Sequence, residues 1–169
     1  MYMKVEKILD EELILSKLAE VKDPEIDTVS IVDLGMVYKV AVADKNIKVT
    51  LLPTFSGCPA LPIIEKNCAA ALLELDGVDS AEVEFTFSVP WTSDRVTEDG
   101  IRGLKEFGIA PPPEFIEGDG SWHVDCPYCG STFVTMENIF GPTACRSILY
   151  CRNCRNPFEA MKLVSSNMH

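Results

Sequence analysis

Apolar side chains at Val5, Ile8, Leu9, Leu13, Leu15, Leu18 and Val21 recur at roughly helical spacing, with acids and lysines between them. That periodicity predicts a helix over 5–21. Pro24 ends it, because the residue before a proline avoids the α region. The pattern then becomes strand-like. Strands are expected at about 36–43 and at 47–52, joined at Asp44-Lys45-Asn46 into a β-hairpin. Ser56-Gly57-Cys58-Pro59 reads as a tight loop, with Pro59 as the first residue of a second helix, where a missing N–H costs nothing. That helix runs to about residue 75 on a stripe of Leu61, Ile64, Cys68, Leu72 and Leu75, and stops near Gly77. Residues 78–89 alternate again. Val83, Phe85, Phe87 and Val89 share one face; Glu82, Glu84, Thr86 and Ser88 share the other. Pro90-Trp91-Thr92 ends this third strand, and a weaker helix follows near 95–107.

The fold class is therefore α+β. An α-β-β-α-β sandwich over 1–107, with helices on one face of a small sheet, precedes a linker at 108–121. Pro111, Pro112 and Pro113 stiffen that linker, and Gly118-Asp119-Gly120 leads out of it. A cysteine-rich module fills 122–169. A chain of 169 residues suits one domain plus a small module. No run of 18 apolar residues exists, so no membrane span is expected. The N-terminal segment lacks the basic-then-apolar order of a signal peptide, and a cytoplasmic location is expected. The net charge of −11 repels phosphate backbones and argues against nucleic-acid binding. Seven cysteines, an odd number and without a leader, do not read as a secreted disulfide scaffold.

Cys126-Pro-Tyr-Cys129 and Cys151-Arg-Asn-Cys154 are two C-x-x-C pairs. Each lets two thiolates meet one ion from a single turn, and together they complete a tetrahedron of sulfur. Short strands are expected at 132–139, 146–150 and 158–163, the layout of a zinc ribbon. A module of fewer than about 50 residues buries too little to fold alone, so the metal supplies folding free energy. With four sulfur ligands no position is left for water, and the zinc would be structural. A single iron in the same ligands, as in a rubredoxin-like electron carrier, is the alternative. Cys145 reads as a small buried hydrophobe; a substitute ligand or a free thiol beside the metal are the other readings. His123 reads as a structural or surface residue, and His169 is terminal.

The first domain holds two further thiols. Cys68 belongs to an apolar stripe and reads as core. Cys58 precedes a helix N-terminus, where free N–H groups and the positive end of the dipole favour a thiolate. It reads either as a nucleophile or metal ligand, or as a plain loop cysteine. A nucleophile would need a base, and both histidines lie outside the first domain. Asp23, Glu25 and Asp33 would approach Cys58 if the loops converge; otherwise they are turn acids and caps. Carboxylates raise a neighbouring thiol's pKa, which suits holding a soft metal better than hydrolysis.

The ordered motifs Asp23-Pro24-Glu25-Ile26, Asp33-Leu34-Gly35-Met36-Val37-Tyr38, Ser56-Gly57-Cys58-Pro59 and Pro90-Trp91-Thr92 resemble the MIP-type, SufT-like domain of iron–sulfur protein assembly over about 12–107. Asp27 stands where many relatives have proline or glycine. With Gly108-Ile-Ala-Pro-Pro, Cys126-Pro-x-Cys-Gly-Ser, Gly141-Pro-Thr-Ala-Cys145 and Cys151-x-x-Cys154-x-x-Pro157-Phe158, nearly the whole chain resembles the PaaD family of bacterial phenylacetate degradation. The resemblance implies a non-enzymatic maturation factor. It would supply or insert the iron–sulfur cluster of the reductase component of the phenylacetyl-CoA epoxidase complex. Its partners would be that client and the cluster assembly machinery. The family's reactive cysteine carries over onto Cys58 and its acids onto Asp23 and Glu25, with a transient iron or iron–sulfur cluster as cargo. One cysteine cannot hold a cluster unaided, so a second copy in a homodimer, or a partner's cysteines, would complete the ligands. The rival readings are a rubredoxin-like electron-transfer protein, a zinc-ribbon interaction module, and a thiol hydrolase, which lacks its base.

Overall fold

The computed structural model describes residues 8–113, 123–143 and 145–164. Residues 5–7 of the expected first helix, the Gly118-Asp119-Gly120 segment, Ala144 and His169 lie outside the described residues. The helix expected over 5–21 is shorter, beginning after Asp10 and ending at Leu18, with Ile8 exposed. Helix α1 (Glu11–Leu18) is capped by Asp10, whose carboxylate accepts from the Leu13 N–H at 2.8 Å. Strands β1 (Val37–Ala43) and β2 (Asn46–Leu51) form the expected antiparallel hairpin. Asp44 takes positive φ at its tip. Helix α2 (Leu61–Leu73) then crosses over, and β3 (Ser80–Phe85) pairs parallel to β2. Sheet order is β1-β2-β3. Ile64, Cys68 and Leu72 of α2 are buried, with Ile47, Val49 and Leu51 of β2 in the same core. Lys17 of α1 bridges to Glu74 just past α2 at 2.8 Å.

Two expectations shift here. Helix α2 starts at Leu61 with Ala60 as its cap, so Pro59 lies before the helix and Pro62 takes the early helical position. Strand β3 stops at Phe85, and Phe87 is exposed rather than on the inner face. The cause is local. Thr86 still donates its N–H to Leu51, but its hydroxyl then accepts from the Ser88 N–H at 3.3 Å and bends the chain away.

Helix α3 (Glu98–Phe107) closes the domain against the loop that carries the Asp23 and Asp33 motifs. Its glycines permit a close approach. A Cβ at Gly103 would lie 2.5 Å from the Thr28 carbonyl oxygen, and one at Gly100 equally near that of Asp33. Gly103→Val should therefore force the helix off the loop and cost about 1–3 kcal/mol of stability, read as a lower urea midpoint. Trp91 is buried and donates from Nε1 to the Leu34 carbonyl at 2.7 Å. Arg95 holds the Gly35 and Val37 carbonyls at 2.7 and 3.0 Å.

The second sheet has the order β4-β7-β6-β5, where β4 is Ile109–Ala110, β5 Val134–Asn138, β6 Arg146–Cys151 and β7 Pro157–Met161. Ile109 and Ala110, expected in the linker, pair parallel with Glu159 and Ala160 of β7. Their N–H and C=O groups are satisfied by the sheet, and both side chains are buried. The second sheet has an apolar cluster of its own, but two of its residues, Ile109 and Met161, are buried in the same cluster as α1, α2 and β2. Val164 returns to the first domain, exchanging hydrogen bonds with Ser93 at 2.8 and 2.6 Å.

Candidate functional site

The ribbon sulfurs converge. Those of Cys126, Cys129, Cys151 and Cys154 all lie within 4.8 Å of one another. Cys126 and Cys154 are 3.7 Å apart, and Cys129 and Cys151 3.6 Å. Sulfurs held about 2.3 Å from a zinc ion at tetrahedral angles would be about 3.8 Å apart, so the donor set fits that ion. These separations are far too long for disulfides. Each knuckle is closed in the same way. Gly130 donates its N–H to the Cys126 carbonyl at 2.8 Å, and Arg155 to that of Cys151 at 2.9 Å, both at positive φ. The side-chain amides of Asn153 and Asn156 reach Cys129 and Cys154 Sγ, each at 3.5 Å. Donation from Asn153 pulls the Cys129 thiol down to about 6, whereas burial pushes Cys126 up to about 11. His123 is exposed and outside the sulfur cluster.

Cys58 lies between the end of β2 and the start of α2. Its N–H donates to the Phe55 carbonyl at 3.2 Å, and its own carbonyl accepts from Leu61 at 3.5 Å, so residues 55–61 fold as consecutive turns. The side chain is half-buried at the rim of the first domain's apolar cluster, while Ser56, Gly57 and Pro59 are exposed. A Cβ at Gly57 would meet nothing within 4 Å.

The expected dipole-lowered thiolate is not what the surroundings produce. Burial pushes the Cys58 thiol up; the Ala60 N–H opposes it, and the charges of Glu25 and Asp23 push it further up. At pH 8 most of Cys58 is therefore the protonated, slowly reacting thiol. Removing a carboxylate reverses part of this. Asp23→Asn should raise the iodoacetamide labelling rate of Cys58 at pH 8 by roughly two- to five-fold, with the rate-versus-pH midpoint moving down.

Asp23 and Glu25 thus stand within electrostatic reach of Cys58. Asp23 is half-buried, and its Oδ1 accepts from the N–H groups of Glu25 and Ile26 at 2.8 and 3.1 Å, which fixes the turn. Burial raises its pKa against those two bonds and the charge of Arg146. Asp33 points elsewhere: it accepts from Ser30 and Thr97, anchoring the start of α3. Cys68 is fully buried, its thiol pushed up to about 12 by burial and Glu65.

Cys145 is the residue whose position the sequence did not reveal. It stands apart from the four-sulfur cluster and from the ribbon's own apolar cluster. It packs instead against the first domain's core, at whose rim Cys58 also sits. Its only local signal is the Gly141-Pro-Thr motif before it.

Known proteins divide along the same line. Residues 11–85 match the family model for an iron-sulfur cluster assembly protein, and residues 110–162 that for the PaaD zinc beta ribbon domain. An Escherichia coli protein named as a putative subunit of 1,2-phenylacetyl-CoA epoxidase is 34% identical, covering 87% of this chain and 89% of its own. The Fe-S protein maturation auxiliary factor YitW of Bacillus subtilis is 38% identical over 51% of this chain and 84% of its own. A DUF59 domain from Bacillus anthracis superposes with a TM-score of 0.52 at 31% identity, covering 56% of this chain and 90% of that one. The geometry of both halves and the extent of the full-length match lead to one assignment: the chain belongs to the PaaD family, with an iron–sulfur cluster assembly domain followed by a zinc ribbon.

Proposed function

We propose that this protein is a non-enzymatic maturation factor that carries iron, or an iron–sulfur cluster, on Cys58 and passes it to a client protein. The observation that carries this reading is a half-buried thiol at a helix start, beside the carboxylates of Asp23 and Glu25 and separate from the closed four-sulfur site. The neutral thiol resists adventitious chemistry, and a soft iron centre displaces its proton on binding. A site with fewer protein thiolates than the closed four-sulfur cluster leaves some of the iron's positions to exchangeable ligands, as a carrier requires. Glu25 and Asp23 would then face a cationic iron, and their repulsion of the empty thiolate becomes attraction for the loaded site.

The client is the reductase component of a phenylacetyl-CoA epoxidase complex. The Escherichia coli relative's name, a putative subunit of 1,2-phenylacetyl-CoA epoxidase, supports that complex as the destination, and the names of the maturation auxiliary factors support the role. At Cys126, Cys129, Cys151 and Cys154 the resident ion is zinc, which would tie the two knuckles together with no position open to substrate. Purified protein should be colourless and contain one zinc per chain by elemental analysis. A red protein with one iron at these sulfurs would favour an electron carrier. Transfer is tested by adding the anaerobically loaded chain to the iron-free reductase and following the return of its electron-transfer activity. Restoration by the wild-type chain and none by Cys58→Ala is expected.

A further inference from the structure

We propose that Cys145 is a second thiolate ligand for the cargo, presented by the ribbon's β5–β6 turn to the Cys58 loop across the seam between the two sheets. This rests on the reading of Cys58 as the cargo thiol.

A chain of backbone hydrogen bonds and one ring contact links the segments that carry the two cysteines. The Cys145 carbonyl accepts from the Lys162 N–H at 2.9 Å. The Lys162 ammonium lies over the Phe55 ring, 5.5 Å from its centre, and over Phe140 at 5.4 Å. The Phe55 carbonyl in turn accepts the Cys58 N–H. The turn that carries Cys145 is built tightly. Gly141 donates to the Arg146 carbonyl at 2.9 Å and Arg146 to that of Thr143 at 3.2 Å. A Cβ at Gly141 would sit 2.6 Å from the Arg146 oxygen, so glycine is needed there. The Thr143 hydroxyl lies 3.2 Å from Cys145 Sγ. Arg146 is buried, held by Glu159 at 2.6 Å and by the Thr143 hydroxyl at 2.9 Å. Its charge acts on both Asp23 and Cys145, and those of Asp23 and Cys58 reach Cys145 too. The four-sulfur cluster is complete without Cys145.

Two thiols and a carboxylate suit ferrous iron or one edge of an iron–sulfur cluster. As each Fe–S bond forms, its thiol releases a proton to water and the iron keeps its oxidation state. Among the described residues only the ribbon sulfurs are drawn into a closed metal-ligand set. Cys58, Cys145 and Asp23 do not form such a preformed set, so iron would draw the Cys58 loop and the Cys145 turn together as it binds and let them part as it leaves. The ribbon would then be part of the cargo site, since its fold sets the position of Cys145.

The test uses the full-length, zinc-loaded chain under anaerobic conditions, titrated with ferrous iron. X-ray absorption at the iron edge counts sulfur neighbours, and zinc content reports that the ribbon is intact. Wild type should show two protein sulfurs on iron. Cys145→Ala should show one, with affinity down about ten-fold or more and zinc unchanged. Cys145→Ser, which keeps the turn but offers a harder donor, should also lose one sulfur. If Cys145→Ala matches wild type in affinity and sulfur count while Cys58→Ala loses iron, the pair is wrong and Cys58 alone carries cargo. If Cys58→Ala also binds like wild type, the cargo reading itself falls, and the pair with it.

Discussion

Cells in which Cys58→Ala replaces the wild-type protein are expected to accumulate an epoxidase reductase lacking its iron–sulfur cluster, with client activity down about 100-fold or more, beyond the roughly 10- to 100-fold seen when a metal site loses only a group that supports a ligand. The substitution should cost little stability, because Cys58 is half-buried at a core's rim and its backbone bonds to Phe55 and Leu61 survive. Cys68→Ala provides the contrast. Cys68 is fully buried on α2, so its loss leaves a small cavity, lowers stability by about 1 kcal/mol or more and leaves delivery intact. Client reductase activity, read against the thermal midpoint of each variant, separates the two effects. Equal losses in both variants would mean that Cys58 contributes only packing.

Removing the ribbon's metal, or making Cys126→Ser, should unfold β5, β6 and β7. A structural zinc site contributes about 10–16 kcal/mol, as much as the whole stability of a typical domain. The linker expected at 108–121 suggests that the first domain's circular dichroism would stay largely intact. Burial of Met161 in the first domain's core and the Ser93–Val164 hydrogen bonds add a stability cost to that expectation. Loss of these contacts should take about 1–3 kcal/mol from the first domain. All helices among the described residues lie before β4, so helical circular dichroism should largely persist on chelation but melt at a lower temperature. An unchanged melting temperature would show that the shared core is energetically minor.

Local signals carried the parts of this fold that sequence could reveal. The apolar stripe through Ile64, Cys68 and Leu72 marks α2, and two C-x-x-C pairs mark the metal centre, because both patterns are set within a few residues. The unexpected features depend on contacts between remote segments. β4 has two residues and no periodicity; it exists because β7 offers a free edge. The Thr86–Ser88 hydroxyl pair, which turns Phe87 outward, defeats an alternating pattern that reads as strand. The Ala60 N–H at the helix start does pull the Cys58 thiol down, but burial and the charges of Glu25 and Asp23 outweigh it. Cys145 reaches the first domain only through the tight Gly141 turn and Lys162, neither of which has a periodic signature.

The most direct measurement is alkylation of Cys58 followed by mass spectrometry during delivery. The wild-type chain is loaded anaerobically with iron and sulfide, then mixed with iron-free client. Cys58 should be protected while loaded and regain its unloaded labelling rate as the client's cluster forms, with the ribbon cysteines silent throughout. Labelling of Cys58 at one constant rate before loading, after loading and after mixing would contradict a cargo-carrying thiol.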